Sequence, residues 1–202
     1  MIGVRTPFRM SFVGGGSDLK EYYTRVPGSV ISTSINKYMY IFVHSFFDDR
    51  IQVKYTKTEI VKRIKDIQHP IVRECLKKFD IRGIDINSIA DIPSGTGLGS
   101  SSSYTVGLLH ALYGYTHNYV SAEQLAQEAC KLEIDILKEP IGKQDQYAAA
   151  YGGLNIIKFF PNGHVDVEPI IMDSITLNSL QNNLILFYLG NTRKASSILL
   201  EQ

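Results

Sequence analysis

The chain has 202 residues, of which 44% are hydrophobic and 20% are charged, and its formal net charge is +1 at pH 7. This composition is typical of a globular protein and excludes a disordered or collagen-like chain. The 21 basic residues are balanced by 20 acidic ones, so the chain has no general positive field to attract nucleic acid or an anionic membrane. Neither is expected as a partner. A chain of this length can bury a core without disulfides or a structural metal.

The cysteines and the hydropathy pattern bear on the cellular compartment. Cys75 and Cys130 lack metal-ligand spacing, so both are predicted to be reduced thiols of the core. No uninterrupted apolar run approaches the roughly 18 to 20 residues that span a bilayer, and the N-terminus lacks the apolar segment of a secretory signal. We therefore expect a cytoplasmic protein.

In chain order, alternating strand and helix signals predict an α+β fold. Residues 29–46 are rich in β-branched and aromatic side chains and predict a strand, which is expected to form a hairpin with a second strand over 51–56. Pro70 suits the first turn of a helix, because proline lacks the N–H that would go unpaired there. A further strand is predicted over 84–89.

The second half of the chain continues this alternation. Helices are predicted over 98–115 and 121–138, and Ser121 with Gln124 forms a capping-box signature at the start of the second. Strands are predicted over 154–160, 165–171 and 184–188, the last leading into a helix-like stretch. Little sequence follows that stretch to cover its apolar face, so we expect a truncated chain or a lost C-terminal domain.

The strongest functional signal is a glycine- and serine-rich segment between a predicted strand and a predicted helix. Glycines admit positive φ and close backbone approach, and a helix start offers unpaired N–H groups and a positive dipole end, so the segment suits a phosphate group. It is not a Walker loop, since Ser100 stands where that motif has lysine. The predicted phosphate-binding residues are Pro93, Gly95, Thr96, Gly97, Leu98, Gly99, Ser100, Ser101 and Ser102.

Two further segments carry charged side chains next to glycines. Arg9 precedes a glycine corner and Asp18, an order that can bring a cation and a carboxylate to one cleft; a surface turn explains it equally well. Asp145 follows a helix end marked by Pro140 and Gly142. There it could face a cleft or simply begin the helix of small residues that follows.

Glu133 falls within the apolar stripe of the helix predicted over 121–138. At about 100° per residue it lies near the middle of that stripe, so the carboxylate is expected to be buried. Because burial of an unpaired charge is costly, Glu133 should have a cationic partner, either a lysine or arginine in a buried salt bridge or a metal ion. Mg²⁺ prefers oxygen ligands, and Glu133 together with a serine hydroxyl of the glycine-rich segment meets that preference.

Taken in order, these segments resemble the GHMP small-molecule kinases. The first family motif corresponds to Pro7, Arg9, Gly14 and Asp18, and the second is reproduced by residues 93–101. The resemblance covers essentially the whole chain. It implies an enzyme that moves the γ-phosphoryl group of ATP to a small molecule.

The resemblance also implies roles for individual residues. Asp145 and Arg9 would be catalytic, with Arg9 keeping the Asp145 carboxylate ionised, and Ser101 and Glu133 would bind Mg²⁺. Substrate binding would fall to Asp18, Gly15, Gly16, Ser17, Lys143, Arg193 and Lys194. For the last three, which would meet a substrate phosphate, ordinary surface charges remain an equal alternative.

The resemblance further implies the domain organisation. Residues 1–190 would form an N-terminal ATP-binding domain related to ribosomal protein S5 domain 2, and residues 191–202 would begin a ferredoxin-like C-terminal domain. That domain carries a third glycine-rich motif in the family, and this sequence contains no such motif. We therefore expect the C-terminal domain to be missing, which leaves the activity of the chain itself open.

Within the family, segments 5–18, 142–147 and 192–197 most resemble kinases that act on D-glycero-D-manno-heptose 7-phosphate, so the resemblance implies this sugar acceptor. Its anomeric hydroxyl would be phosphorylated, giving a 1,7-bisphosphate for surface polysaccharide synthesis. Two alternatives remain: a kinase for another sugar such as fucose or galactose, and a nucleotide-binding fragment without catalysis. The sequence leaves a homo-oligomer open.

Overall fold

The sheet of this protein is built around one long strand, β2 (Gly28–Ser45). In the computed structural model, which describes residues 1–187, β1 (Ile2–Val13) runs antiparallel along one side of β2. The other side is shared by two antiparallel strands, β5 (Ile84–Ala90) at the C-terminal half of β2 and β6 (Leu154–Phe159) at its N-terminal end. One strand thereby joins the two halves of the sheet.

Three further short strands of the described residues 1–187 belong to the sheet. β3 (Ile51–Lys54) pairs parallel to β5 and antiparallel to β4 (Thr58–Val61). At the opposite end β7 (Val165–Pro169) pairs antiparallel to β6. The strand order is β4-β3-β5-β2-β6-β7, with β1 alongside β2.

The hairpin predicted between residues 29–46 and 51–56 is wrong. Both segments are strands, but β5 lies between β2 and β3, and β3 pairs with β5 and β4. A short connection between two strand signals favours a hairpin, whereas the partner that displaces it here lies about thirty residues further along. Local pattern cannot reveal such long-range pairing.

Residues 1–187 contain six α-helices, and α3 is the central one. They are α1 (Lys20–Tyr23), α2 (Pro70–Phe79), α3 (Ser100–Tyr115), α4 (Ala122–Cys130), α5 (Gln144–Tyr151) and α6 (Ser174–Asn182). Ten of the sixteen residues of α3 are buried, and the helix packs against β1 and β2. The predicted α+β class is confirmed.

The core contains both cysteines, as predicted. Cys75 packs with the residues of α2, α3 and the sheet, whereas Cys130 lies in a second cluster with Tyr147 and Phe159. Both thiols are buried and unbridged. Burial raises the pKa of each, so the two thiols are neutral at physiological pH.

The helix starts follow their sequence signals closely. Pro70 occupies the first turn of α2, and the Ser121 hydroxyl accepts the backbone N–H of Gln124 over 3.1 Å at the start of α4. The single helix predicted over 121–138 is interrupted, because residues Lys131–Ile136 form a π-helical turn after α4. This wider turn contains Glu133.

The end of the described chain differs from the prediction. Residues 184–187 of the strand predicted over 184–188 are not in a strand, and residue 188 lies outside the described residues, as does the helix-like stretch after it. Within residues 1–187, no helix combines the length and apolar character needed to cross a membrane. The division at residue 190 stays a prediction.

Gly107 allows α3 to lie close to β1, and replacing it should destabilise the fold. A Cβ at this position would lie 2.7 Å from Thr6 Oγ1 and 3.3 Å from Ile41 Cγ1. Because Thr6 is buried and β-branched, it cannot turn away freely. We expect Gly107→Ala to lower the free energy of unfolding by about 1 to 3 kcal/mol, as overpacking does, measured by urea denaturation.

The matched control lies in the same helix. A Cβ at Gly114 would meet Ile2 Cγ2 at 3.4 Å, an ordinary contact. Gly114→Ala should therefore be neutral or gain up to about 1 kcal/mol from helix propensity. Equal effects of the two substitutions would contradict the close-packing argument.

Candidate active site

The glycine-rich turn before α3 adopts a backbone that requires glycine. Gly95, Gly97 and Gly99 have φ values of +80°, +75° and +75°, in the left-handed region that side chains disfavour. Gly99 immediately precedes α3, and within residues 1–187 no side chain caps this helix end. The first turn of α3 therefore presents backbone N–H groups and a positive dipole end suited to an anion.

Arg9 of β1 joins this turn to Asp145. Its Nη1 donates to Gly97 O over 2.7 Å, and its backbone N–H donates to Leu98 O over 3.2 Å. Its Nε donates to Asp145 Oδ1 over 2.7 Å, and Nη2 lies 2.6 Å from the same oxygen. The two residues predicted to be catalytic thus form a direct ion pair.

The turn and the Asp145 carboxylate are in close contact. A Cβ at Gly99 would come within 3.4 Å of Asp145 Oδ2 and 3.3 Å of Arg9 Cγ. A Cβ here would press slightly on the Arg9 side chain, and the positive φ would strain the backbone of any residue other than glycine. The predicted phosphate site and the predicted acid are therefore neighbours.

The second predicted acid, Glu133, is completely buried. Its Oε1 accepts hydrogen bonds from Ser101 Oγ (2.9 Å) and Thr105 Oγ1 (3.0 Å). Its Oε2 accepts from Ser102 Oγ (2.8 Å) and Gln146 Nε2 (2.6 Å). Four donors from α3 and α5 surround this carboxylate.

The expected salt-bridge partner of Glu133 is not found among residues 1–187, where no lysine or arginine lies within ion-pair distance of it. Four neutral donors take that place, because hydrogen bonds also compensate for a buried carboxylate's lost hydration. Burial raises the pKa of Glu133, and the bonds from Ser102, Gln146, Ser101 and Thr105 lower it.

The alternative partner, Mg²⁺, fits the residues present. The ligands available are a carboxylate and a hydroxyl, the oxygen donors that this hard cation prefers. Ser101 is exposed and bonds to Oε1 of Glu133, so it connects the buried carboxylate to the surface at the start of α3. Glu133 and Ser101 would hold the cation there.

Three consecutive residues at the start of α5 connect it to three distant segments. Gln144 Oε1 accepts from Ser11 Oγ over 2.7 Å, Asp145 pairs with Arg9, and Gln146 contacts Glu133. Of these, only Asp145 was predicted as a site residue. The two glutamines lie within the segment that suggested Asp145, but their side-chain contacts depend on the fold.

Asp18 is buried, and its carboxylate is bonded within the protein. Oδ1 accepts from Gly16 N (3.2 Å) and Gln144 Nε2 (3.3 Å), and Oδ2 accepts from Gln144 N (3.1 Å). A Cβ at Gly142 would lie 1.9 Å from Oδ2, so glycine is required there for close approach. Burial raises the pKa of Asp18, and the backbone N–H of Gln144 opposes this.

The remaining predicted substrate residues within 1–187 lie around Asp18. Ser17 Oγ donates to Gly14 O over 2.7 Å, and Cβ atoms at Gly15 and Gly16 would meet nothing within 4 Å. Lys143 Nζ donates to Gly163 O over 3.0 Å and lies 4.8 Å from the centre of the Tyr23 ring. Arg193 and Lys194 lie outside the described residues, and all of these binding roles stay predictions.

Comparison with known proteins agrees with this geometry. Residues 59–153 match the family described as GHMP kinases N terminal domain. This stretch contains the glycine-rich turn, Glu133 and Asp145. The matched stretch is slightly less than half of the chain. The resemblance read from the motifs is thereby confirmed.

Proteins similar to this chain include two sugar kinases. D-glycero-alpha-D-manno-heptose 7-phosphate kinase of Campylobacter jejuni subsp. jejuni is 28% identical over 98% of this chain and 62% of that protein. The bifunctional fucokinase/GDP-fucose pyrophosphorylase of Arabidopsis thaliana is 24% identical over 97% of this chain and 21% of that protein.

A solved structure has the same fold. The crystal structure of a D-glycero-D-manno-heptose 1-phosphate kinase from Bacteriodes thetaiotaomicron superposes with a TM-score of 0.82 at 26% identity, covering 89% of this chain and 63% of that one. The chain therefore spans about three fifths of the length of the two heptose kinases it resembles.

The raised pKa of Glu133 predicts a pH dependence of stability. Glutamate has an ordinary pKa of 4.5, so above about this pH the Glu133 carboxyl loses its proton in the unfolded chain, whereas the folded chain keeps the proton to a higher pH. The free energy of unfolding therefore falls as the pH rises through this range. Glu133→Gln has no proton to release, and urea denaturation of the variant should show a smaller fall above this pH.

Glu139→Gln is the control, because Glu139 is exposed. Its unfolding free energy should follow that of the parent across the same pH range. A parent-like profile for Glu133→Gln would mean that burial does not perturb this carboxyl.

Proposed function

We propose that this chain is the ATP-binding part of a sugar kinase that phosphorylates the anomeric hydroxyl of D-glycero-D-manno-heptose 7-phosphate to the 1,7-bisphosphate. The observation that carries the proposal is the Arg9–Asp145 ion pair against Gly99, while the adjacent first turn of α3 holds Glu133. A phosphate cradle and two acids at one helix end are the parts that phosphoryl transfer needs.

The nucleotide phosphates would lie at the start of α3. Backbone N–H groups of the turn and of the first helical residues would bind them, helped by the hydroxyls of Thr96 and Ser100. Glu133 and Ser101 would hold Mg²⁺, which when bound neutralises phosphate charge. The absence of a lysine at position 100 makes these contributions more important than in a Walker loop.

Asp145 would act on the sugar hydroxyl. The hydroxyl oxygen forms a bond to the γ-phosphorus of ATP, the bond from that phosphorus to the β–γ bridging oxygen breaks, and ADP leaves with that oxygen. The hydroxyl proton passes to an Asp145 oxygen. Because Arg9 is bonded to Oδ1, Oδ2 is the oxygen available for this contact, and the ion pair fixes its direction.

The sugar assignment rests on the relatives. Both heptose kinases act, by name, on a heptose phosphate, although one name specifies the 7-phosphate and the other the 1-phosphate. Asp18 with the Gly15–Ser17 turn would contact sugar hydroxyls, and Lys143, Arg193 and Lys194 would meet the existing phosphate. The product would serve surface polysaccharide synthesis in the cytoplasm.

Two alternatives have their own support. The fucokinase relative favours another sugar acceptor. The chain spans about three fifths of the length of the heptose kinase relatives, which favours the second alternative, nucleotide binding by this chain without turnover. A domain boundary near residue 190 belongs to the same proposal.

Asp145→Asn should separate binding from turnover. The amide keeps the size of the side chain but cannot take the hydroxyl proton, so we expect kcat to fall by about 10²- to 10⁴-fold while the dissociation constant of ATP stays within about threefold. Steady-state kinetics and calorimetry measure the two quantities. Asp135→Asn, at an exposed position, is the control, and near-parent turnover by Asp145→Asn would end the assignment.

The acceptor is tested by a turnover panel on this chain and on a C-terminally extended one. We expect heptose 7-phosphate to give the highest kcat/KM, ahead of heptose 1-phosphate, fucose and galactose. Preference for an unphosphorylated sugar would overturn the acceptor. If both chains bind ATP but neither phosphorylates any of the sugars, the alternative of nucleotide binding without catalysis is favoured.

A further inference from the structure

The side chain of Gln146 is fully buried, and its two polar atoms differ in their hydrogen bonding. Nε2 donates to Glu133 Oε2 over 2.6 Å. Oε1 is buried as well, and among the described residues nothing donates a hydrogen bond to it. Because a buried acceptor without a donor is unfavourable, the bond to Glu133 is what holds the amide in this orientation.

The two oxygens of Glu133 have different surroundings. Oε2 is the inner oxygen, held by Gln146 and by the buried Ser102. Oε1 is the outer oxygen, held by Thr105 and by the exposed Ser101. Only the outer oxygen is connected to the surface at the start of α3.

Gln146 differs from the other three donors in two respects. Its N–H can only donate, whereas a hydroxyl can turn and accept; the Thr105 hydroxyl already lies 3.1 Å from a second acceptor, Ser101 O. It also belongs to α5, directly after Asp145, while the hydroxyls all belong to α3. Gln146 therefore provides the one contact of this group that joins the two acids through the backbone of α5.

We propose that Gln146 is a positioning residue. Its hydrogen bond to the inner oxygen of Glu133 orients the carboxylate so that the outer oxygen of Glu133 and the Ser101 hydroxyl face the cation of a bound nucleotide. This inference rests on the proposed function. It assigns Gln146 no contact with the nucleotide or the sugar. Its effect must therefore appear only when the cation is present and only while Glu133 is intact.

Calorimetry on this chain tests the first condition. Gln146→Met keeps a side chain of similar length but cannot donate. We expect it to weaken ATP binding about tenfold in the presence of MgCl₂, the size expected for losing a hydrogen bond to a charged group. ATP binding in EDTA should stay within about twofold of the parent.

A double-mutant cycle tests the second condition. In the Glu133→Gln background, adding Gln146→Met should cause no further loss of ATP affinity in MgCl₂, because the group it positions is already gone. Gln127→Met is the control: this exposed glutamine of α4 bonds to Glu123, away from the site, and its affinities should equal those of the parent.

The outcomes separate this inference from the proposed function. A parent chain that binds ATP in neither condition overturns both. The other outcomes apply when the parent binds ATP more tightly with MgCl₂ than in EDTA. The role of Gln146 alone is then overturned by any of three results: Gln146→Met binds ATP like the parent, it loses as much affinity in EDTA as in MgCl₂, or its loss of affinity adds to that of Glu133→Gln in the cycle.

Thermal melting shows whether Gln146→Met is folded. If it is unfolded, Gln146→Asn replaces it with the same expectations, because asparagine carries the same amide on a side chain shorter by one methylene.

Discussion

A buried carboxylate needs hydrogen-bond donors or a cation around it, and among residues 1–187 Glu133 obtains its donors from two helices. Three hydroxyls come from the first turns of α3, and one amide comes from α5. Because leaving a buried charge unpaired costs several kcal/mol, these contacts fix the start of α3 relative to α5. The glycine-rich turn precedes that start and is positioned with it.

The Arg9–Asp145 ion pair adds the sheet to the same arrangement. Arg9 belongs to β1, whereas Asp145 lies 136 residues away, and the guanidinium also bonds to the carbonyl of Gly97. One arginine thus ties a strand, a turn and a helix together. An arginine suits this position because its planar, permanently charged group can donate in several directions at once. The geometry of the acid and that of the turn therefore depend on each other.

The glycines of the site serve two distinct physical purposes. Gly95, Gly97 and Gly99 are needed for their positive φ values, whereas Gly142 is needed because Asp18 would overlap a side chain there. Asp18 and Gln144 bond to each other in turn, which connects the β1–α1 turn to the start of α5. Motif glycines that look alike in sequence are thus required for different physical reasons.

The sequence by itself determined the α+β class, most helix starts and strands, and the predicted acids and glycine-rich turn that the structure brings together, because periodicity, caps and glycine-serine patterns report local backbone preference. It indicated that Glu133 is buried, since that follows from its place in an apolar stripe. Only the tertiary structure decided which strand separates β2 from β3, that among residues 1–187 neutral donors and not a lysine or arginine surround Glu133, and that Gln144 and Gln146 contact predicted site residues. Those features depend on contacts between residues far apart in the chain, whose free energies no local pattern encodes.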